Sequence, residues 1–257
     1  MSDPTEVTSD LEKQALAKVW FYPFQLPSGR TTPTYDNGAL DAIHSTRLAM
    51  LSRALANRFG DHIAGKSAVD IACHQGYFSV QLAQRGIDVL AVDTRDEHVA
   101  DTRLICDAIG LKNLRVLQSD VHLLDAAQVG TFDIVLMLGL IYHLENPIGA
   151  LRVARALCRD VCLVETQIVP GMNGFVDYGS YRFVKPLKGS FGIVDETWET
   201  HGPEASTTGI CLIPSLDALL WIMEKVGFSR VEVLPVPDDG YEQLRFGKRA
   251  MVAGYVE

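Results

Sequence analysis

The feature that most restricts the fold of this sequence is a regular alternation of short apolar runs with segments of helical spacing between residues 67 and 168. The segments between the runs, such as EHVADTRLICDAIG, space their apolar residues as one face of a helix does. Apolar strands that alternate with helices are typical of a doubly wound parallel sheet with right-handed crossovers. The runs that predict its strands are AVDIAC, DVLAVD, LRVLQS, FDIVLML and VCLVETQI.

The segments on either side extend this core. Before it, residues 9–19 and about 38–59 have helical spacing and bracket the aromatic stretch WFYPFQLPSGRTTPTYDNG, so we expect residues 1–60 to form an N-terminal helical cap. The core is expected over residues 61–257, and residues 169–208, rich in Gly, Pro and aromatics, are predicted to form a lid insertion after strand five.

The C-terminal part predicts a helix followed by two strands. Ser215 is a suitable N-cap and Gly227 a suitable end for the helix LDALLWIMEKV. The segments FSRVEVLPV and KRAMVAGYV are then expected to pair as an antiparallel hairpin. The complete prediction is an α/β fold with a Rossmann-like, seven-stranded sheet.

Composition restricts the partners and the compartment. The net charge is −9 with a pI near 5.2, which disfavours a nucleic-acid partner. The N-terminus has no basic segment followed by an apolar one, and no apolar run reaches the roughly 20 residues of a membrane span, so a soluble cytoplasmic protein is expected. The five cysteines have no metal-site spacing and are expected to be reduced and mostly buried.

Acidic residues end three successive predicted strands. Asp70 is placed to meet an ammonium group directly or through water, and Asp93, about 20 residues further on, is placed to accept the two hydroxyls of a ribose. Asp120 would then lie beside an adenine amino group. Together these residues predict a pocket for a nucleoside-containing cofactor at the carboxyl end of the sheet.

The loop ACHQGYF connects the first strand to its helix and is expected to hold the cofactor. Ala72 and Gly76 let the backbone approach a ligand, and the helix N-terminus offers unpaired N–H groups to a carboxylate. His74 and Phe78 of this loop are included in the expected site. Two alternatives stay open: each aspartate caps a helix, or the cofactor is NAD, although the glycines of GxGxxG are absent.

The segments FDIVLMLGLIYHLENPIGAL, VCLVETQI and ICLIPSLDALLWIMEKVGFSRVEV resemble the class I S-adenosylmethionine-dependent methyltransferases that include the tRNA wobble-uridine carboxymethyltransferase and many small-molecule O-methyltransferases. The resemblance covers about residues 46–233 and weakens across the lid. The sequence is also similar to actinobacterial sugar O-methyltransferases, in particular the mannoside-methylating enzymes of mycobacterial polysaccharide synthesis. The resemblance to the class I methyltransferases implies that the cofactor is S-adenosylmethionine. The residues expected to bind it are Ala72, Asp93, Thr94, Val121, His122, Leu138 and Tyr142.

Catalytic residues are expected where strand four and strand five end. Methyl transfer to a hydroxyl gains from a general base, and His143, next to Tyr142, is our candidate for it. Glu165 could orient a substrate hydroxyl, pair with His143 or bind a metal. Arg47 could contact the cofactor carboxylate; the alternative is an arginine on a helix surface.

The lid sequence DETWETHG offers oxygen and nitrogen ligands for a metal. Glu196, Glu199 and His201 could hold Mg²⁺ that positions a sugar, and a solvated acidic loop is the alternative. We therefore expect an O-methyltransferase acting on a hydroxyl of a small molecule, such as a sugar in polysaccharide biosynthesis. A tRNA-modifying enzyme and a non-catalytic binding subunit are the alternatives, and a homodimer is one open oligomeric state.

Overall fold

The computed structural model describes residues 9–35, 38, 40–172, 174–178, 181–201, 205–206 and 208–257. The chain separates into two compact units, Met1–Leu123 and Leu124–Glu257. Its main sheet has seven strands in the order β10-β11-β5-β4-β1-β2-β3, numbered along the chain with the bounds given below. This is the Rossmann-like sheet that the sequence predicts. The predicted division at residue 60 stays a prediction.

The first unit contains three parallel strands and the helices around them. Strand β1 pairs with β2 and β2 with β3, all in parallel register. Helix α1 begins after Ser9, whose hydroxyl accepts a hydrogen bond from the Glu12 N–H at 3.1 Å, and α4 ends at Gly110, which has a φ of +81°. The elements are α1 (Asp10–Ala17), α2 (Asp41–Phe59), β1 (Ser67–Ile71), α3 (Tyr77–Ala83), β2 (Asp88–Asp93), α4 (Asp96–Ile109) and β3 (Leu114–Gln118).

The second unit contains the other four strands of the main sheet and two small hairpins. Strand β4 pairs with β5 in parallel, and β11 pairs antiparallel with both β5 and β10. Two-stranded antiparallel sheets are formed by β6 with β7 and by β8 with β9. The strands are β4 (Phe132–Leu138), β5 (Cys158–Gln167), β6 (Phe175–Tyr178), β7 (Tyr181–Pro186), β8 (Phe191–Asp195), β9 (Ile210–Pro214), β10 (Arg230–Val233) and β11 (Arg249–Tyr255).

The helices of the second unit begin and end with the capping residues that the sequence indicates. Pro147 is the first residue of its helix, and Ser215 accepts a hydrogen bond from the Ala218 N–H at 3.3 Å. Gly227 ends the same helix with a φ of +113°. The helices are α5 (Ala126–Val129), α6 (Pro147–Leu157), α7 (Trp198–His201), α8 (Leu216–Val226) and α9 (Glu242–Arg245).

The structure adds elements that the sequence analysis did not predict. The described part of residues 169–208, the predicted lid insertion, contains β6, β7, β8 and α7, and α9 lies between the two strands of the predicted terminal hairpin. All five cysteines are unpaired and buried, as expected. Among the described residues, no helix is long and apolar enough to cross a membrane.

Candidate active site

The loop between β1 and α3, residues 72–76, has the backbone conformation of a glycine-rich turn although only one of its residues is glycine. Ala72 has a φ of +61°, His74 of +54° and Gly76 of +81°. Residues other than glycine rarely adopt this left-handed region, and each such residue costs roughly 1–2 kcal/mol. We call residues 72–76 the cofactor turn, because strain of this kind is retained mostly at binding sites.

Asp93, the last residue of β2, holds the cofactor turn. Its carboxylate accepts hydrogen bonds from the His74 N–H at 2.8 Å and from the Arg95 N–H at 3.0 Å. The ring of His98 lies 3.2 Å from the same carboxylate. Burial alone would raise the pKa of Asp93, but the contact with His98 and the two N–H donors hold this pKa below its ordinary value. Asp93 is therefore ionised, and its carboxylate oxygens accept hydrogen bonds from the groups around it.

Asp70, near the end of β1, and Gly76, the last residue of the cofactor turn, both make close contacts within the first unit. Asp70 is 2% exposed and accepts a hydrogen bond from the Ser79 hydroxyl at 2.7 Å. Burial raises the pKa of Asp70 to about 6. A Cβ on Gly76 would lie 2.5 Å from the Thr102 side chain. The lack of a side chain at Gly76 thus admits the close approach of Thr102 of helix α4, and the expected roles of Asp70 and Gly76 in cofactor binding stay predictions.

The other expected cofactor residues of the first unit are spread over different environments. Phe78 is 4% exposed, and its ring packs against Tyr22 and Tyr77 at 6.1 and 5.2 Å. Arg47 is 6% exposed on α2, so it is not the surface arginine of the alternative interpretation. The other four expected residues lie just after β2 and β3. Thr94 is exposed and Val121 is buried. Asp120 accepts a hydrogen bond from the His122 N–H at 2.7 Å.

In the second unit, His143 and Glu196 form a carboxylate–histidine pair. Nδ1 of His143 lies 2.6 Å from Oε2 of Glu196. An ionised carboxylate only accepts hydrogen bonds, so beside an ionised Glu196 a neutral His143 ring would carry its proton on Nδ1 and its lone pair on Nε2. This is the tautomer that a general base at Nε2 requires.

Two further donors hold Glu196 in place. The Ser206 N–H donates to Oε2 at 2.8 Å, and the Cys211 thiol donates to the same oxygen at 3.4 Å. Burial raises the pKa of Cys211 to about 11, which keeps this thiol protonated. Glu196 is 3% exposed. These contacts hold the carboxylate of Glu196 against His143, and its expected role as a metal ligand stays a prediction.

Tyr142 and Glu165 meet at a buried arginine that the sequence analysis missed. Arg249, the first residue of β11, donates to Glu165 Oε1 at 3.0 Å and to the Tyr142 hydroxyl at 3.2 Å. Burial alone would lower the pKa of Arg249, but Glu165 and Tyr142 raise it above its ordinary value. Glu165 is fully buried, so of its three expected roles the structure provides an ion pair, with Arg249 in place of His143.

The expected metal ligands are only partly described. Glu199 is exposed on α7, and the side chain of His201 lies outside the described residues. Among the side chains that are described, no group of three or more His, Cys, Asp or Glu residues could hold a metal ion. Leu138, expected beside the cofactor, ends β4 and is 8% exposed.

Residues 43–233 match the sequence profile of a protein family described as "Methyltransferase domain". The chain belongs to this family. Among its curated relatives are a ubiquinone biosynthesis O-methyltransferase of Acinetobacter baumannii, 28% identical over 97 residues, and a tRNA U34 carboxymethyltransferase of Desulfotalea psychrophila, 26% identical over 174 residues. These matches cover 38% and 66% of this chain and 41% and 48% of the relatives, so the chain spans about half or less of their length.

Solved methyltransferase structures share the fold. The N-terminal domain of EvdMO1 with SAH bound is 22% identical, with a TM-score of 0.67 and coverage of 100% of this chain and 98% of that one. Magnesium protoporphyrin IX methyltransferase of Synechocystis PCC 6803 with SAH bound is 14% identical, with a TM-score of 0.58 and coverage of 89% and 90%. The class I methyltransferase fold predicted from the sequence is confirmed.

The sequence analysis missed three residues that shape these sites. Arg249 follows the polar stretch EQLRFGK and begins a wholly buried strand, which marks it as a charge that needs a buried partner. Gln75 and His98 flank predicted cofactor residues but had no motif of their own. Their partners lie on other elements, so local sequence gave no signal for them.

Proposed function

We propose that this protein is an S-adenosylmethionine-dependent methyltransferase that acts on a hydroxyl group of a small molecule. The observation that carries the proposal is the left-handed cofactor turn held by Asp93. The turn has a conformation that costs energy, and Asp93 is an anion at the strand end where a ribose is bound in this class of fold. Membership of the methyltransferase family supports the same cofactor.

In this proposal, bound S-adenosylmethionine would supply an electrophilic methyl group: the bond from sulfur to the methyl carbon would break as the acceptor oxygen bonds to that carbon, and S-adenosylhomocysteine would be the leaving group. Asp93 supplies carboxylate oxygens as acceptors for the ribose hydroxyls, and Nδ1 of His98 lies 3.2 Å from one of these oxygens. His143 accepts the proton of the acceptor hydroxyl at Nε2, and Glu196 stabilises the imidazolium that results. Tyr142 and Arg249 form the buried wall beside His143.

Cofactor binding is tested by calorimetry with S-adenosylmethionine and S-adenosylhomocysteine. We expect saturable binding of both, weakened at least tenfold by Asp93→Asn, because the amide replaces one acceptor by a donor. Asp88→Asn, on the exposed start of the same strand, is the control and should bind as the wild type does. Absence of binding at millimolar cofactor would refute the enzyme proposal and favour a non-catalytic subunit.

The base is tested by His143→Ala and Glu196→Gln. We expect His143→Ala to lose about a hundredfold or more in kcat while cofactor affinity stays at the wild-type value, since a general base contributes about 10²–10⁴-fold. Glu196→Gln should also reduce kcat, because it removes the carboxylate that fixes the tautomer. His62→Ala, at an exposed position, is the control. Wild-type turnover of His143→Ala would remove His143 from the reaction.

The finer proposal is that the acceptor is a sugar or a mannoside of polysaccharide synthesis. It follows the resemblance to sugar O-methyltransferases, and one structure of the EvdMO1 N-terminal domain was determined in the presence of SAH and D-fucose. A screen with labelled methyl donor against sugars, phenols and tRNA tests it. Labelling of a sugar hydroxyl supports the proposal, and labelling of tRNA alone supports the wobble-uridine alternative suggested by the carboxymethyltransferase relative.

Dependence on Mg²⁺ is a separate proposal that concerns Glu196, Glu199 and His201. Glu196 already accepts hydrogen bonds from three groups, so a metal there would compete with His143. A chelator titration of methyl transfer tests this. Loss of activity that Mg²⁺ restores would support a metal role for the three residues, and full activity in excess chelator would leave them without one.

A further inference from the structure

Residues 18–35 form a segment that folds back on itself, which we call the N-terminal strap. The Trp20 N–H donates to the Pro33 carbonyl at 2.9 Å, and the Thr32 N–H donates to the Phe24 carbonyl at 3.0 Å. The Trp20 ring is fully buried and its indole N–H donates to the Ala15 carbonyl of α1 at 2.7 Å. The strap is therefore an ordered part of the first unit.

Gln75 connects the strap to the cofactor turn. Its side-chain carbonyl accepts a hydrogen bond from the Phe21 N–H at 2.8 Å, and its side-chain amide donates to Asp101 of α4 at 3.0 Å. Asp101 also pairs with Lys18 of the strap. Gln75 is 7% and Asp101 6% exposed, so the hydrogen bond between these two side chains is shielded from water, where the loss of a partner costs most. We call this chain of contacts the Gln75 latch.

The latch brings aromatic rings of the strap onto His74. The ring centroids of Phe21 and Tyr22 lie 4.9 and 5.6 Å from that of His74, and the His98 ring lies 4.0 Å from it. His74 is the residue that adopts a φ of +54° and whose N–H donates to Asp93. Packing of the strap thus offsets the strain of this residue and keeps its ring between strap and α4.

We infer that Gln75 is a positioning residue for cofactor binding: through the latch it holds the strap on His74 and so keeps the cofactor turn in its left-handed conformation. This inference rests on the proposed function for its ligand. Gln75 itself acts on the strap and α4, and its effect on the cofactor passes through His74 and Asp93. Opening the latch should chiefly speed cofactor release, because the turn then relaxes.

The experiment measures S-adenosylhomocysteine binding and release by stopped-flow methods, together with hydrogen exchange of residues 18–26, in four proteins and one control variant. They are the wild type, Gln75→Ala, Gln75→Glu and Gln75→Glu with Asp101→Asn. Gln75→Ala should release the ligand about tenfold faster and exchange the Phe21 amide faster, because that N–H loses its partner. Gln84→Ala, on the exposed end of α3, is the control.

The two glutamate variants separate positioning from general damage to the fold. Gln75→Glu keeps an acceptor for Phe21 but sets a second carboxylate against Asp101, so it should release ligand faster as well. Adding Asp101→Asn restores an amide–carboxylate pair with the roles exchanged, and we expect it to recover most of the slow release. Failure of this rescue, or a wild-type release rate in Gln75→Ala, would overturn the inference.

The inference and the proposed function fail in different ways. If the wild type binds no S-adenosylhomocysteine, the proposed function is wrong, while hydrogen exchange of the strap still reports on the latch. If the wild type binds and the Gln75 variants change neither release nor exchange, the latch is wrong and the proposed function stands.

Discussion

At the scale of single residues, the left-handed conformation of the cofactor turn leads to a prediction about the free energy of unfolding. Ala72 has a φ of +61°, a conformation that glycine adopts without strain. Ala72→Gly should therefore raise the free energy of unfolding by about 1 kcal/mol in urea denaturation. Ala100→Gly, on the exposed face of helix α4, is the control and should lower it by about 1 kcal/mol. A loss of stability in Ala72→Gly would show that the left-handed conformation is not strained.

At the same scale, the buried carboxyl of Asp70 leads to a prediction about how the stability of the protein depends on pH. Burial raises its pKa in the folded protein to about 6, against 3.8 as the ordinary value. Well below pH 3.8 the carboxyl is protonated in both the folded and the unfolded state, so it does not affect the free energy of unfolding. As the pH rises from 3.8 to above about 6, the free energy of unfolding falls by about 3 kcal/mol, because the unfolded state ionises more readily. Asp70→Asn should therefore stabilise the protein at pH 7.5, by about 1–3 kcal/mol, and much less at pH 4.

The control for this experiment is Asp88→Asn, because Asp88 is exposed at the start of the neighbouring strand. Denaturant unfolding of both variants at several pH values gives the comparison. A stabilisation by Asp70→Asn that does not grow between pH 4 and 7.5 would contradict the assigned effect of burial. Unchanged cofactor affinity in the same variant would indicate that Asp70 acts on Ser79 and not on the ligand.

At the scale of elements, β5 and β11 carry a buried ion pair whose removal has a large expected cost. Arg249→Met leaves the carboxylate of Glu165 buried without its cation, and breaking such a pair costs about 3–5 kcal/mol. The double variant with Glu165→Met should recover most of this loss. Arg159→Met removes the more exposed Arg159–Asp133 pair and should cost less than about 1 kcal/mol. Thermal or urea unfolding measures all three, and equal losses in the two single variants would contradict burial as the cause.

The elements that the sequence predicted are those with strong local signals. Strands β1 to β5 are apolar runs, and helices α4 and α8 end at glycines with positive φ, so period and capping residues were sufficient. Strands β8 and β9 are short, and their partly exposed faces depend on pairing with each other. The pairs of His143 with Glu196 and of Arg249 with Glu165 join positions far apart in sequence, so no local pattern could have indicated them.

At the scale of the whole molecule, the fold class was predictable because alternating strands and helices with right-handed crossovers leave few possible topologies. Sheet order and parallel register depend on the alternation of elements along the chain. The acceptor was not predictable, because the predicted lid, residues 169–208, to which we assign the choice of acceptor, has no strong period in its sequence. The charge of the sequence also bears on the acceptor, because it has 23 Lys and Arg against 32 Asp and Glu.

This charge predicts how methyl transfer responds to salt. A net charge of −9 repels a polyanion, so we expect an acceptor without phosphate groups, and for it kcat/KM should change less than about twofold between 50 and 200 mM salt. An RNA acceptor held by six to ten phosphate contacts would lose about 10³–10⁵ in affinity over the same range. Initial rates with the acceptor identified in the screen, measured across this series, separate the two. A steep fall of log(kcat/KM) with log salt would mean that local basic residues outweigh the net charge of the protein. The acceptor would then be assigned to the nucleic acids, as in the tRNA alternative.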